Sequence, residues 1–101
     1  MDKYKHIIEM ENIRVSQEKT LKKLDEVLKE LEDKHKDYQA LVKYYYSDKR
    51  YEDIEDDQKG LIPDDIRRGV LSEDEIYDLM MRFQENSISM IEIALKFLKF
   101  E

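Results

Sequence analysis

Apolar residues recur at helical spacing through the first half of the chain. Spacings of three and four alternate over eight positions, which are Leu21, Leu24, Leu28, Leu31, His35, Tyr38, Val42 and Tyr45. This heptad pattern predicts a helix that packs one face against other helices. Because the chain has no glycine or proline from Asp2 to Tyr46, we expect one long helix over about residues 2–46. The polar run 32–37 is its weakest place.

A second helical pattern fills the last third of the chain. Ser72 and Glu75 have the spacing of a capping box, and Leu71 and Ile76 occupy the two positions of a hydrophobic staple. These signals predict a last helix over about residues 72–100. Its main apolar stripe is Ile76, Met80, Phe83, Met90, Ala94 and Phe97, and a second row is Ile88, Ile91, Leu95 and Leu98. The second row predicts that the end of this helix touches more than one neighbour.

The residues that break helices are gathered in one short segment. Both glycines and the only proline lie within residues 60–69. Pro63 suits a first helical position, and Gly69 suits the left-handed position just after a helix. We therefore expect Pro63–Arg68 to form one capped helical turn. We call residues 47–71, which join the two long helices, the corner.

These elements predict an all-α protein with a single domain over residues 1–101. Two long antiparallel helices, at about 2–46 and 72–100, are joined by the corner. A lone hairpin would leave part of the long apolar stripe in water, so we expect a homodimer that forms a helical bundle. The alternative is a monomeric three-helix bundle in which the first helix is broken near Asp33–Lys36.

Charge is concentrated in the middle of the chain. Residues 48–78 hold twelve acids and five bases, so this segment carries the whole net charge of −7. A sequence pI of about 4.9 without a basic stripe argues against direct nucleic-acid binding. The chain has no cysteine, and its most apolar segment is too short and too charged to span a membrane. We expect a cytoplasmic protein without a membrane partner.

No motif predicts a catalytic, cofactor or metal site. An EF-hand calcium loop that began at Asp53 would need glycine at its sixth position and glutamate at its twelfth, but these are Gln58 and Asp64. Arg67 and Arg68 are expected to pair with nearby acids rather than to grip an anionic ligand. We expect a protein that is not an enzyme and holds no cofactor.

Aromatic and acidic residues coincide at the corner, and this predicts the surface that binds a partner. Tyrosine is enriched at binding interfaces, and a strong negative field favours a basic partner. The candidate partner-binding residues are Tyr44, Tyr46, Tyr51, Asp53, Glu55, Asp56 and Asp57. The predicted function is a small protein–protein interaction module. The alternative is an acidic inhibitor, of the immunity, antitoxin or anti-defence type, that blocks the basic nucleic-acid-binding groove of a target protein.

The same region resembles a known family. The tyrosine-rich helix end at residues 44–47, the acidic segment after it and the run Pro63–Tyr77 are similar to the small bacterial proteins of the domain-of-unknown-function 4298 family. The most specific part is Arg68-Gly-Val-Leu-Ser-Glu-Asp74, together with Tyr77. The resemblance covers nearly the whole chain. It implies an all-helical fold and a bacterial or phage origin, and it brings no established activity.

Overall fold

The computed structural model describes residues 2–99, and the all-α prediction is confirmed over that range. Its four α-helices are α1 (Lys5–Asp33), α2 (His35–Tyr45), α3 (Asp48–Gln58) and α4 (Glu75–Leu98), with short 3₁₀ helices at Asp2–Tyr4 and Gly69–Leu71. No strand occurs in this part of the chain. Two compact units are present, the first ending at Asp37 and the second beginning at Tyr38.

The predicted first helix is interrupted once, at Lys34. This residue has φ −94° and ψ 1°, and its N–H still donates to the Glu30 carbonyl at 2.9 Å. The interruption falls in the polar run 32–37, where Asp33 and His35 have low helix propensity and both are exposed. The continuous helix expected over 2–46 is therefore two helices, α1 and α2, separated by one residue.

In the first unit, helix α1 is held by local interactions. Arg14 bonds to Glu18 at 2.6 Å, and Lys5 lies 3.8 Å from Glu9, both at helical i,i+4 spacing. Exposed pairs of this kind stabilise a helix only slightly. The apolar side chains of α1, including Leu21 and Leu24, are exposed.

In the second unit, a thin core forms where α2 meets the first half of α4. The Tyr38 and Phe83 rings lie 4.5 Å apart between centroids. Ile76, at 3% exposure, is the only buried hydrophobic residue among the described residues. Leu41 and Leu79 are half-buried. The predicted stripes of the two helices therefore meet over this part of their length.

The first part of the corner is a full helix, α3 (Asp48–Gln58). The Ser47 hydroxyl accepts from the Arg50 N–H at 3.2 Å and donates to the Tyr44 carbonyl at 2.6 Å, so Ser47 both caps α3 and links it to α2. The inward face of α3 consists of Arg50, Asp53, Ile54 and Asp57. Because this face is mostly charged, it lacks the apolar periodicity that reveals a helix.

Helix α3 ends in a glycine with left-handed backbone. Gly60 has φ +73°. Its N–H donates to the Asp57 carbonyl at 3.1 Å, and the next N–H, of Leu61, donates to the Asp56 carbonyl at 3.0 Å. These two bonds form a Schellman motif, which glycine enters at little steric cost.

Two predictions about the rest of the corner were wrong. Pro63–Arg68 is a turn closed by an Ile66 N–H bond to the Pro63 carbonyl at 3.1 Å, and the short helical turn lies instead at Gly69–Leu71. A six-residue segment offers too few backbone bonds to sustain a helix by itself. Gly69 does not have positive φ, because no helix ends before it and it begins the 3₁₀ turn.

Helix α4 begins at Glu75, three residues after the predicted start at Ser72, and its N-cap residue Asp74 makes no side-chain cap bond. The Ser72 hydroxyl accepts from the Glu75 N–H at 3.2 Å. The Ser72 N–H donates to the Gly69 carbonyl at 3.0 Å and so closes the 3₁₀ turn. It does not donate to the Glu75 carboxylate, as it would in a complete capping box. That carboxylate lies against Gly69, where a Cβ atom would collide with it.

Candidate functional site

A buried arginine holds the corner together. Arg50 is 7% exposed, and its Nε and Nη2 donate to the carbonyls of Val70 at 3.0 Å and Ser72 at 2.8 Å. Its guanidinium lies 4.8 Å from the centre of the Tyr45 ring. Hydrogen bonds from charged donors are strong. The flat guanidinium can donate to both carbonyls and also stack on the aromatic ring. Arg50 therefore joins α2, α3 and the chain entering α4.

Arg50 is not among the functional residues that the sequence predicted. One signal in the sequence could have indicated Arg50. It lies three residues after Ser47, which suits an N-cap, and at the start of an acidic segment. Its hydrogen bonds go to backbone carbonyls 20 and 22 residues later in the chain. Because backbone atoms accept these bonds, the side chains of Val70 and Ser72 do not predict them.

Two of the candidate partner-binding residues bond to each other. The Tyr44 hydroxyl donates to the Asp53 carboxylate at 2.7 Å, and the Lys49 Nζ lies 3.3 Å from that carboxylate. Burial, together with the hydrogen bond to Asp53, raises the pKa of Tyr44 to about 12. The bond from Tyr44, followed by that from Lys49, lowers the pKa of Asp53. Tyr44 is therefore a neutral donor and Asp53 an ionised acceptor at neutral pH.

A third candidate, Asp57, has a cationic partner. The Arg68 guanidinium lies 3.3 Å from Asp57 and 4.0 Å from Asp64, and it also donates to the Ile62 carbonyl at 3.2 Å. The internal pairing expected for Arg68 is confirmed, whereas Arg67 is exposed. The Asp57 charge therefore helps to close the corner.

The remaining four candidates face solvent. Tyr46 and Tyr51 are 69% and 63% exposed, and Glu55 and Asp56 are also exposed. The Tyr46 ring meets the Tyr45 ring edge to face, with centroids 4.9 Å apart. Tyr51 and Glu55 are four residues apart on α3, so they share one helical face. We call these four exposed residues, Tyr46 just before the corner and Tyr51, Glu55 and Asp56 within it, the outer face of the corner.

The second unit has a shallow depression beside the corner. It has a volume of about 140 Å³ and is lined by Leu41, Gly69, Val70, Glu75, Ile76 and Leu79. Only one of these side chains is charged, and no pair of groups in the lining has the spacing of an acid and its base.

Two further findings concern metals and membranes. Within residues 2–99, no three histidine or carboxylate side chains come together as metal ligands. None of the helices in this range combines the length and the apolar character needed to cross a bilayer.

These features define the class as a small all-helical protein whose charged corner is organised around a buried arginine. The model of the family described as Domain of unknown function (DUF4298) matches residues 7–93, and the chain belongs to this family. The resemblance found in the sequence is thus confirmed. Comparison with curated proteins gave no match, and neither did comparison with solved structures.

Proposed function

We propose that this chain is a non-enzymatic protein–protein interaction module that binds a basic partner through the outer face of its corner. The observation that carries the proposal is the exposure of Tyr46 and Tyr51, at 69% and 63%, together with the exposure of the acids Glu55 and Asp56 on α3. A tyrosine ring gives a large contact area with few rotatable bonds, and acids around it speed encounter with a basic surface.

The structure beneath this face favours binding without rearrangement. Arg50 bonds to two carbonyls, and Tyr44 bonds to Asp53, so α3 is fixed from its inner side. A surface that is already ordered loses less conformational entropy on association. Three of the seven candidates, Tyr44, Asp53 and Asp57, then support the face instead of contacting the partner.

We further propose that the chain acts as a homodimer. Large apolar side chains are exposed on α1 and on the second half of α4; examples are Leu21 at 56% and Ile91 at 63%. Fully burying one such side chain contributes about 1.5–3 kcal/mol, so leaving many of them in water forgoes a large stabilisation. Association between copies supplies that burial in a chain of this size. Sedimentation equilibrium tests this, and a wild type of monomer mass over the micromolar range would refute it.

The corner proposal is tested by differential capture from lysate. Immobilised wild type is compared with a variant that carries Tyr46→Ala and Tyr51→Ala, and with a control that carries Tyr4→Ala, an exposed tyrosine in the first unit. We expect the wild type and the control to capture a basic protein that the double variant does not capture. Circular dichroism must show equal helix content in all three. Equal retention by all three variants would refute the corner as the binding surface.

Salt dependence then separates the two functional classes. An interface anchored by tyrosine rings should weaken only modestly as salt increases, because apolar contacts are not screened. An acidic inhibitor that imitates nucleic acid should weaken steeply, and it should displace nucleic acid from the captured protein. Steep salt dependence together with displacement of nucleic acid would show that the protein is an acidic inhibitor and not an interaction module.

A further inference from the structure

The depression beside the corner combines an apolar lining with one carboxylate. Leu41 comes from α2, Ile76 and Leu79 come from α4, Val70 belongs to the corner, and Glu75 is the one charged residue of the lining. The volume of about 140 Å³ is that of a single side chain. An engineered apolar cavity of about 150 Å³ holds benzene, and a lysine side chain has fewer non-hydrogen atoms than benzene.

Gly69, which also lines the depression, leaves room for this carboxylate. The φ of Gly69 is not positive, so its backbone does not require a glycine. A Cβ atom at this position would collide with the Glu75 carboxylate, which lies against it. Any larger residue would therefore push the carboxylate away from the depression.

The Glu75 carboxylate has no structural partner in the part of the chain that the structure describes. Within residues 2–99 it forms no ion pair and accepts no hydrogen bond, since the only side-chain bond at this residue runs from its N–H to Ser72. The Ser72 N–H, which bonds to the carboxylate in a complete capping box, closes the 3₁₀ turn instead. Glu75 is also exposed, so its charge is accessible to a cation from outside.

The field around this carboxylate favours a cation that the chain itself does not supply. Residues 48–78, which include Glu75, carry a net charge of −7. Three of the five bases in this segment, Lys49, Arg50 and Arg68, already bond to other groups. A cationic group of a partner is therefore attracted to this side of the corner.

The wall of the depression is already formed. Arg50 donates to the carbonyls of Val70 at 3.0 Å and Ser72 at 2.8 Å, so it fixes the chain on both sides of Leu71. Ile76 is buried at 3% exposure. A site that is ordered before binding loses little conformational entropy when it is filled.

We propose that this depression binds one lysine side chain of the basic partner. The inference rests on the class of partner proposed above and adds a contact that is separate from the outer face. The lysine methylenes pack on Leu41, Ile76 and Leu79, and the ammonium pairs with the carboxylate at residue 75. Lysine suits the site better than arginine, because a single carboxylate in an apolar lining leaves most of the five guanidinium N–H groups without an acceptor.

Methyl NMR of the 101-residue chain tests the proposal without the partner. The probes are N-acetyl-Gly-Lys-Gly-amide and its norleucine analogue, which keeps the apolar stem and lacks the charge. We expect the lysine peptide to shift the methyl signals of Leu41, Ile76 and Leu79 saturably, in roughly the millimolar range for so small a contact. The norleucine peptide should bind at least about threefold more weakly. The methyl signals of Leu21 on α1 should not move.

Variants then identify the groups that bind the ammonium. Glu75→Gln should weaken binding of the lysine peptide at least about threefold. Gly69→Ala should weaken it similarly, because its methyl group displaces the carboxylate while costing little stability. Glu73→Gln is the matched control, since Glu73 is an exposed acid that does not line the depression, and binding should stay within about 1.5-fold at physiological salt. Circular dichroism must show equal helix content in all variants.

Three results would overturn the lysine site. They are equal binding of the lysine and norleucine peptides, wild-type binding by Glu75→Gln, and no methyl shift at any of the three lining residues. Tighter binding of the corresponding arginine peptide would overturn the choice of lysine.

The same measurements distinguish this site from the outer face. The variant with Tyr46→Ala and Tyr51→Ala should bind the lysine peptide like the wild type, because neither tyrosine lines the depression. Absence of methyl shifts, together with capture of a basic protein that depends on the tyrosines, would overturn the depression alone. Methyl shifts that depend on Glu75, together with capture that does not depend on the tyrosines, would overturn the outer face and support the lysine site.

Discussion

Replacing Arg50 with methionine removes the guanidinium and keeps most of the apolar stem. Two hydrogen bonds are lost, from Nε to Val70 at 3.0 Å and from Nη2 to Ser72 at 2.8 Å, together with the cation–π contact to Tyr45 at 4.8 Å. Bonds from charged donors contribute about 1.5–3 kcal/mol each. Methionine also avoids the cost of burying a charge, and water can reach carbonyls at the edge of the corner. We expect a net loss of about 2–3 kcal/mol in the free energy of unfolding.

Urea unfolding at fixed protein concentration measures this loss. With a slope of about 1–2 kcal/mol per molar urea, the midpoint should fall by roughly 1–3 M. Arg67→Met is the matched control, because Arg67 is an exposed arginine of the same corner, and its midpoint should change by less than about 0.5 M. Arg50→Lys should lie between the two, since an ammonium lacks the planar fork. If Arg50→Met matches Arg67→Met, the arginine does not hold the corner together.

Three other predictions test the same region. Gly60→Ala should destabilise the fold by about 1 kcal/mol because φ at this position is +73°. Gly69→Ala should cost less than about half of that, since its φ is not positive and the Glu75 carboxylate that it meets can rotate away. Equal urea midpoints for the two variants would contradict the left-handed role of Gly60. Ser72→Ala should cost about 1 kcal/mol in the same melts through loss of its 3.2 Å bond, and an unchanged midpoint would show that the bond contributes nothing. Tyr44 should stay neutral up to a pKa of about 12, so its contribution to stability is full below the ordinary tyrosine pKa of about 10 and is lost as pH rises from there through about 12. Absorbance titration of the wild type against Tyr44→Phe tests this, and a phenol that ionises near pH 10 would show that its bond to Asp53 is weak.

The long helices could be predicted from sequence because their signals are local. The heptad stripe from Leu21 to Tyr45 and the Ser72–Glu75 cap each depend on residues within a few turns of one another. Even the interruption at Lys34 falls in the polar run that the pattern marked as weak. The family could be recognised for the same reason, since its most specific residues are contiguous.

The corner could be predicted less well because its contacts join distant residues. Helix α3 has a charged inner face, which hydrophobic periodicity does not reveal. The sequence assigned the left-handed position to Gly69, but Gly60 has it, because the helix that ends in the corner is α3 and not the segment after Pro63. A glycine shows that an unusual backbone is allowed without showing which turn uses it.

The sequence by itself determined that the chain is helical, approximately where its long helices lie, and that its net charge is carried by residues 48–78. Only the tertiary structure decided which corner residues are available. Tyr44, Asp53 and Asp57 look equivalent to their neighbours in sequence, yet they bond inward, whereas Tyr46 and Tyr51 face solvent. The reason is that helix propensity and capping act over three or four residues, whereas the burial of Arg50 depends on carbonyls 20 and 22 residues away.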